Sequence, residues 1–253
     1  MMKHIFFFLL LLWCSQFAIA QDTFYCAEQA PLYPITGFIY TLVHCYTEAV
    51  AEYDKGIAVD PHNYEYHLRK ARCLAMLNDT ATLASYDRAL RLRGQGGNEE
   101  WYTEVIAERH CALGNYDSAI YLHGQLYRQY LLQQDSSVAY REKIHILQTL
   151  DQAGRMAEFA AELEAARQWK GNDIKLRKCE ARYAELSGNY QQAIDKWNEI
   201  IAQENVQSTT LFEEYLALAR LYEKTNQLKE AKEILKKANT LKKSALEGLK
   251  SSR

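Results

Sequence analysis

Few residues in this chain of 253 can break a helix, since proline occurs 3 times and glycine 11 times. Such scarcity leaves little room for the many tight turns of an all-β fold, and it favours helix. Positive and negative charges are nearly balanced: the chain has 30 lysine and arginine residues and 32 acidic residues, which gives a formal net charge of −2. A general nucleic-acid-binding protein would carry a basic surface, so this balance argues against that class.

Long apolar runs are missing except at the start of the chain. Lys3 precedes an unbroken apolar run from Ile5 to Leu12, and Ala18-Ile19-Ala20 follows as an A-x-A arrangement of small residues. This order is typical of a secretory signal peptide cleaved after Ala20. We therefore expect an exported protein, periplasmic or extracellular, whose mature chain has no integral membrane segment.

Two other interpretations of the first twenty residues are less favourable than cleavage. A retained membrane anchor needs about 20 apolar residues, and Ser15 and Gln16 interrupt the run before that length is reached. A lipoprotein acylated at Cys14 would carry a small residue before the cysteine, where this chain has the bulky Trp13.

The rest of the chain contains an internal repeat. Gly114-Asn115-Tyr116 and Gly188-Asn189-Tyr190 each have an alanine three residues after the tyrosine and another seven residues before the glycine. This pattern predicts two antiparallel helices that pack closely through alanines, joined by a turn that needs a positive φ. The alternative is an irregular helical bundle whose alanine spacing is accidental.

This pattern resembles the tetratricopeptide repeat, a helix–turn–helix unit of about 34 residues. The first copy matches best, through Tyr33, Gly37, Tyr40, Ala49 and Pro61. The resemblance implies an all-α, right-handed solenoid of about six repeats. We place the repeats at about 30–63, 64–97, 100–133, 140–173, 174–207 and 212–245, between an N-terminal extension at 21–29 and a C-terminal tail at 246–253.

One residue per copy is expected at the turn between the two helices, and these residues follow one another at intervals of 34 to 40. They are His44, Asn78, Gly114, Gly154, Gly188 and Asn226. The extra residues of the longer copies are expected in loops between repeats. These loops are placed at Gly94–Gly97, Gln133–Ser137 and Gln203–Thr210.

In this family the first helix of each repeat lines a concave groove that commonly holds an extended peptide or a partner helix. Residues three, four or seven apart share a helix face, and on this basis nine residues are candidates for the groove. They are Arg72, Trp101, Glu104, Glu108, Arg141, Lys175, Lys178, Arg182 and Arg220. The lysines and arginines of the last two repeats could receive carboxylates of a partner, or they could form an ordinary solvated face. Trp101 is either a binding anchor or a cover for the glycine-rich loop.

Sequence motifs for catalysis or phosphate binding are absent: no phosphate loop, dinucleotide fingerprint, zinc-protease motif or nucleophile elbow occurs. His44-Cys45 and His110-Cys111 contain zinc-type ligands, but they fall in different copies, so we expect neither a metal site nor a cofactor. We expect reduced cysteines; a bridge from Cys73 to Cys111, or from Cys26 to Cys45, is the alternative.

These observations predict a non-enzymatic exported scaffold or adaptor that binds a protein or peptide, and no nucleic acid. Two alternatives stay open: an accessory domain of an enzyme complex, and a homo-oligomeric envelope component in which the groove receives the segment Gln21–Ala30 of a neighbour. The lysine-rich stretch from Leu228 to Arg253 is expected to form a capping helix, with weak attraction to a membrane surface as the alternative.

Overall fold

A computed structural model of the chain describes residues 33–94, 99–170, 173–203 and 211–250. The expected signal peptide, the N-terminal extension with Cys26 and most of two expected loops, at 95–98 and 204–210, lie outside these residues. The described residues form twelve α-helices and contain no strand. None of these helices is both long enough and apolar enough to cross a membrane.

The helices follow one another as six pairs, each a first helix and a second helix joined by a short turn. They are α1 (Tyr33–Leu42) with α2 (Tyr46–Val59), α3 (Tyr64–Met76) with α4 (Thr82–Arg93), α5 (Glu99–Ala112) with α6 (Tyr116–Leu132), α7 (Ser136–Gln152) with α8 (Met156–Lys170), α9 (Ile174–Leu186) with α10 (Tyr190–Gln203), and α11 (Leu211–Lys224) with α12 (Leu228–Lys250). Each helix packs against the next one along the chain. The first helix α1 begins one residue before Pro34, where the ring is tolerated because the first helical turn needs no backbone donor.

Each pair turns at a residue with a positive φ. These residues are His44 at 54°, Asn78 at 53°, Gly114 at 74°, Gly154 at 68°, Gly188 at 77° and Asn226 at 59°. They are the six positions predicted from the sequence, so that prediction is confirmed. In the third pair the N–H of Asn115 donates to the carbonyl of His110 at 2.9 Å, and that of Gly114 to Cys111 at 3.0 Å. This is the Schellman pattern, which satisfies carbonyls that the ending helix leaves without partners.

Small residues lie where the helices cross, as the repeat pattern requires. Nine alanines among the described residues are completely buried: Ala49, Ala71, Ala89, Ala107, Ala119, Ala139, Ala166, Ala181 and Ala193. Among the aromatic residues of the repeats, Tyr53, Tyr86 and Trp197 are buried, whereas Tyr40, Tyr116, Tyr190 and Tyr222 are half-buried.

The junction between the third and fourth pairs corrects one expectation. The extra residues there were placed in a loop at Gln133–Ser137, but α6 and α7 each extend to 17 residues. Ser136 already belongs to α7, whose first turn is capped by Asp135, which accepts the N–H of Val138 at 3.0 Å. The added length therefore lengthens helices, and only a three-residue turn separates them.

The first and last helix pairs are in contact. The ring of His44 lies 5.3 Å from the ring of Phe212 at the start of α11, and it also stacks on Tyr46. Lys242 of α12 covers the ring of Phe212, with its Nζ 5.9 Å from the centroid. Burial, with the nearby positive charge of Lys242, lowers the pKa of His44 below 6.5 although Glu213 acts in the opposite direction.

Candidate functional site

The nine predicted groove residues all lie on first helices. Arg72 is on α3, three of them (Trp101, Glu104 and Glu108) are on α5, Arg141 is on α7, three (Lys175, Lys178 and Arg182) are on α9, and Arg220 is on α11. We call this set of nine residues the first-helix surface. It runs across five consecutive helix pairs.

Ion pairs connect neighbouring first helices in the second, third and fourth repeats. Arg72 on α3 binds Glu108 on α5 at two points, Nη2 to Oε1 at 2.6 Å and Nε to Oε2 at 2.9 Å. One repeat further on, Nη2 of Arg141 on α7 lies 3.4 Å from Oε2 of Glu104 on α5. Each contact joins a residue to one a full repeat away, because stacking brings equivalent helix positions side by side.

The same connection continues through the fourth, fifth and sixth repeats. Nε of Arg182 on α9 lies 3.0 Å from Oδ2 of Asp151 on α7. Lys178 pairs with the buried Glu214 of α11, and Lys224 of α11 lies 2.8 Å from Oε1 of Glu185 on α9. Ion pairs therefore link every two neighbouring first helices from α3 to α11, and we call this row the inter-repeat ion-pair ladder.

The ladder divides the predicted basic residues of α9 and α11 into two groups. Lys178 and Arg182 are engaged by acidic side chains of neighbouring repeats, whereas Lys175 and Arg220 are exposed. Their role in binding a partner stays a prediction. Sequence reasoning placed the cations on first helices and missed their acidic partners, since a sequence separation of 31 to 39 residues marks no contact by itself.

Trp101 lies at the junction of the second and third repeats. Its ring contacts Tyr64 edge-on with centroids 5.1 Å apart, and the guanidinium of Arg93 covers it at 4.5 Å. Tyr64 begins α3 and Arg93 ends α4, so the indole closes the space between two consecutive pairs. Most of the glycine-rich loop lies outside the described residues, so both roles of Trp101, cover for that loop and binding anchor, stay predictions.

The third and fourth repeats contain a cluster of two histidines and two glutamates. Glu142 is completely buried, and its Oε2 lies 2.9 Å from Nδ1 of the buried His123. An ionised carboxylate only accepts hydrogen bonds, so Nδ1 of His123 carries the proton. The ring of His145 stacks on that of His123 with centroids 5.1 Å apart and planes at 9°. Glu104 approaches from α5 and completes the cluster.

Burial controls the protonation of this cluster. Burial and the neighbouring His123 lower the pKa of His145 to about 4, so its imidazole is neutral near pH 7. Burial raises the pKa of Glu104, although Arg141 opposes that effect. Burial would also raise the pKa of Glu142, but the hydrogen bond from His123 and the nearby positive charge outweigh it, and the pKa is lowered.

The cysteines that the structure describes are free thiols: Cys45, Cys73, Cys111 and Cys179. Cys73 contacts Thr41 of α1 at 3.3 Å, and Cys111 contacts Thr149 of α7 at 3.6 Å. The thiols of Cys73 and Cys111 thus each contact a hydroxyl on a neighbouring first helix. Because both cysteines are free, the alternative of a Cys73–Cys111 disulfide is wrong. Burial raises the pKa of Cys179 to about 12, which keeps that thiol protonated.

Comparison with known proteins identifies the fold. No protein-family model matches the sequence, and no curated protein matches it. A tetratricopeptide repeat protein from Parabacteroides merdae superposes with a TM-score of 0.55, at 16% identity over 88% of this chain and 86% of that protein. The fold is a tetratricopeptide-like solenoid. The fold class predicted from the repeat pattern is therefore confirmed.

Other solved structures with tetratricopeptide-like folds superpose less closely. PilW, a widely conserved type IV pilus biogenesis factor, has a TM-score of 0.45 and 14% identity over 81% of this chain and 91% of its own. YrrB, a tetratricopeptide protein with an unusual peptide-binding site, has a TM-score of 0.40 and 15% identity over 79% of this chain and 97% of its own.

Proposed function

We propose that this chain is an exported, non-enzymatic scaffold that binds a peptide or partner protein on its first-helix surface. The observation that supports the proposal is the placement of these nine residues on five consecutive first helices. Stacked helix pairs characteristically bind partners along such extended surfaces. In this proposal the surface forms the concave groove that the tetratricopeptide resemblance implies.

The exposed lysine and arginine side chains indicate which kind of partner segment would bind. Lys175 and Arg220 are exposed on neighbouring first helices α9 and α11, whereas the ladder holds Lys178 and Arg182 in place. Arginine and lysine bind carboxylates through charge-assisted hydrogen bonds. The partner segment is therefore an acidic stretch or a C-terminal carboxylate, received at the fifth and sixth repeats.

Export is part of the same proposal and rests on the sequence of the first twenty residues. Lys3, the apolar run and Ala18-Ile19-Ala20 are the signal. N-terminal sequencing of the protein recovered from the cell envelope or the medium tests this step. A mature N-terminus at Gln21 supports it, and a protein found only inside the cell with Met1 or Met2 at its start contradicts it.

Partner binding is tested by in-cell crosslinking and affinity capture with two matched variants. Lys175→Glu combined with Arg220→Glu reverses both exposed cations of the proposed site. Lys232→Glu combined with Lys236→Glu makes a matching charge change at exposed positions of α12. We expect the partner to be lost in the first variant and retained in the second, with equal helicity by circular dichroism.

Three other results would place the function elsewhere. Equal retention of the partner in both variants removes the first-helix surface from the proposal. A crosslinked product of twice the chain mass, confirmed by light scattering across concentration, favours the homo-oligomeric alternative. Turnover in a broad hydrolase and transferase screen of the purified protein would contradict the non-enzymatic assignment.

A further inference from the structure

Three side chains of the third and fourth repeats have the arrangement of metal ligands. One donor atom from each of Glu104, Glu142 and His145 lies within 4.8 Å of the other two. Glu142 and His145 are three residues apart on α7, so both point to the same helix face. Glu104 comes from α5 of the preceding repeat. The cluster therefore bridges two repeats.

The imidazole of His145 is available as a ligand. Neither of its ring nitrogens has a hydrogen-bond partner within the part of the chain that the structure describes, and the ring is held by stacking on His123. Imidazole binds a metal through a ring nitrogen that carries no proton. A half-buried histidine that has no ring hydrogen bond and lies beside two carboxylates lacks a partner that a cation would supply.

The second buried histidine orients the cluster. Nδ1 of His123 on α6 donates to Oε2 of Glu142 at 2.9 Å and fixes the rotamer of that carboxylate. Metal sites characteristically have such an outer hydrogen bond, which orients the ligand and tunes its basicity. His123 is thus a positioning residue rather than a ligand.

The charges around the cluster leave room for a cation. Three carboxylates meet here, on Glu104, Glu108 and Glu142, and they face the two guanidinium groups of Arg72 and Arg141. The three carboxylates outnumber the two guanidinium groups, so these five side chains carry one excess formal negative charge. Burying such a charge is unfavourable unless a counter-charge compensates it. A bound divalent cation would supply that compensation.

We propose that Glu104, Glu142 and His145 bind one divalent transition-metal ion between the third and fourth repeats. Two carboxylate oxygens with an imidazole nitrogen are a donor set for zinc or a similar ion, whereas magnesium and calcium take oxygen donors alone. Bonds of about 2.0–2.2 Å require the donors to close in, and the partly exposed Glu104 can move to do so. The ion joins α5 to α7, and its remaining positions are filled by water.

Zinc binding to the purified protein is the direct test, by equilibrium dialysis and calorimetry with zinc chloride. We expect one zinc ion per chain, with magnesium unable to displace it. His145→Gln and Glu104→Gln should each weaken zinc binding by at least about 100-fold, and His123→Gln by about 10- to 100-fold. Cobalt bound in place of zinc should give visible absorption that is lost in the same variants.

Matched controls lie on α3. His67→Gln and Glu65→Gln make the same chemical changes outside the cluster, and both should leave zinc binding unchanged within about twofold. Since Glu104 is partly exposed, its variant is the one expected to keep native helicity if His145→Gln unfolds the chain. Absence of a stoichiometric zinc site in the unmodified protein, or equal zinc binding by all variants, overturns the proposal. The result is independent of partner capture, since no partner is present.

Discussion

Arg72 of α3 and Glu108 of α5, 36 residues apart in the sequence, form a two-point ion pair in which the guanidinium fork spans the carboxylate. Oε2 of Glu108 also lies 3.3 Å from the hydroxyl of the buried Tyr86. A parallel pair of charge-assisted hydrogen bonds fixes orientation as well as distance. This contact therefore sets the register between the second and third repeats.

Replacing Arg72 with glutamine should destabilise the protein by about 1–2 kcal/mol, because Glu108 loses two charge-assisted hydrogen bonds. The control is Arg91→Gln on the exposed face of α4, which should change the free energy of unfolding by less than about 0.5 kcal/mol. Urea unfolding followed by circular dichroism measures both. Equal effects of the two substitutions would mean that the two-point pair adds nothing to stability.

The ladder should make stability depend on pH through Glu185. Burial alone would raise its pKa, but hydrogen bonds from Lys224 and Arg182 lower it below 4.5. The unfolded chain therefore binds a proton more readily than the folded chain. Ionised Glu185 stabilises the fold fully above the unfolded pKa, and this contribution is lost as the pH falls through the lower folded value.

We expect the urea-unfolding free energy of the unmodified protein to fall more steeply below pH 4.5 than that of Glu185→Gln. Above about pH 6 the two curves should run parallel, with the variant lower. Parallel curves over the whole acid range would show that Glu185 is not held ionised by Lys224 and Arg182.

Two glycines should respond to alanine in opposite directions. Gly114 has a φ of 74° at a turn, so Gly114→Ala should cost about 1–2 kcal/mol. Gly124 lies inside α6, where an added methyl group would meet only the end of the Arg128 side chain, at 3.6 Å, so Gly124→Ala should stabilise by about 0.5–1 kcal/mol. Thermal and urea unfolding test the pair, and the same sign for both would contradict the turn assignment.

Gly37 should resist alanine although it lies inside a helix. A Cβ there would be 2.6 Å from Cε1 of Tyr53, whose ring is only 1% exposed. The overpacking should cost about 1–3 kcal/mol, which exceeds the gain in helix propensity. A measured stabilisation by Gly37→Ala would show that α1 and α2 can separate without loss.

The sequence is informative where the backbone repeats and uninformative where side chains meet. All six turn residues could be placed from the Gly-Asn-Tyr pattern, and even His44, which is neither glycine nor asparagine, has a φ of 54°. Helical spacing also placed Arg72, Arg141 and Arg182 on first helices. These features depend on residues close together in the chain, so the local pattern contains them.

Contacts between repeats could not be derived in the same way. Arg141 meets Glu104 at a separation of 37 residues and Arg182 meets Asp151 at 31, because the repeats differ in length. The cluster of Glu104, Glu142 and His145 is hidden in the sequence for the same reason, since its parts belong to two repeats. His44-Cys45 and His110-Cys111 are easier to notice in the sequence, because the two residues of each pair are adjacent. These two pairs nevertheless belong to different copies of the repeat.

Site-specific photocrosslinking in the native envelope tests the central claim, partner binding on the first-helix surface, most directly. A photoreactive residue replaces exposed Lys175 on α9 in one strain and exposed Gln192 on the second helix α10 in another. The account predicts a crosslinked partner from position 175 and none from position 192. A partner captured from position 192 and absent from position 175 would contradict it.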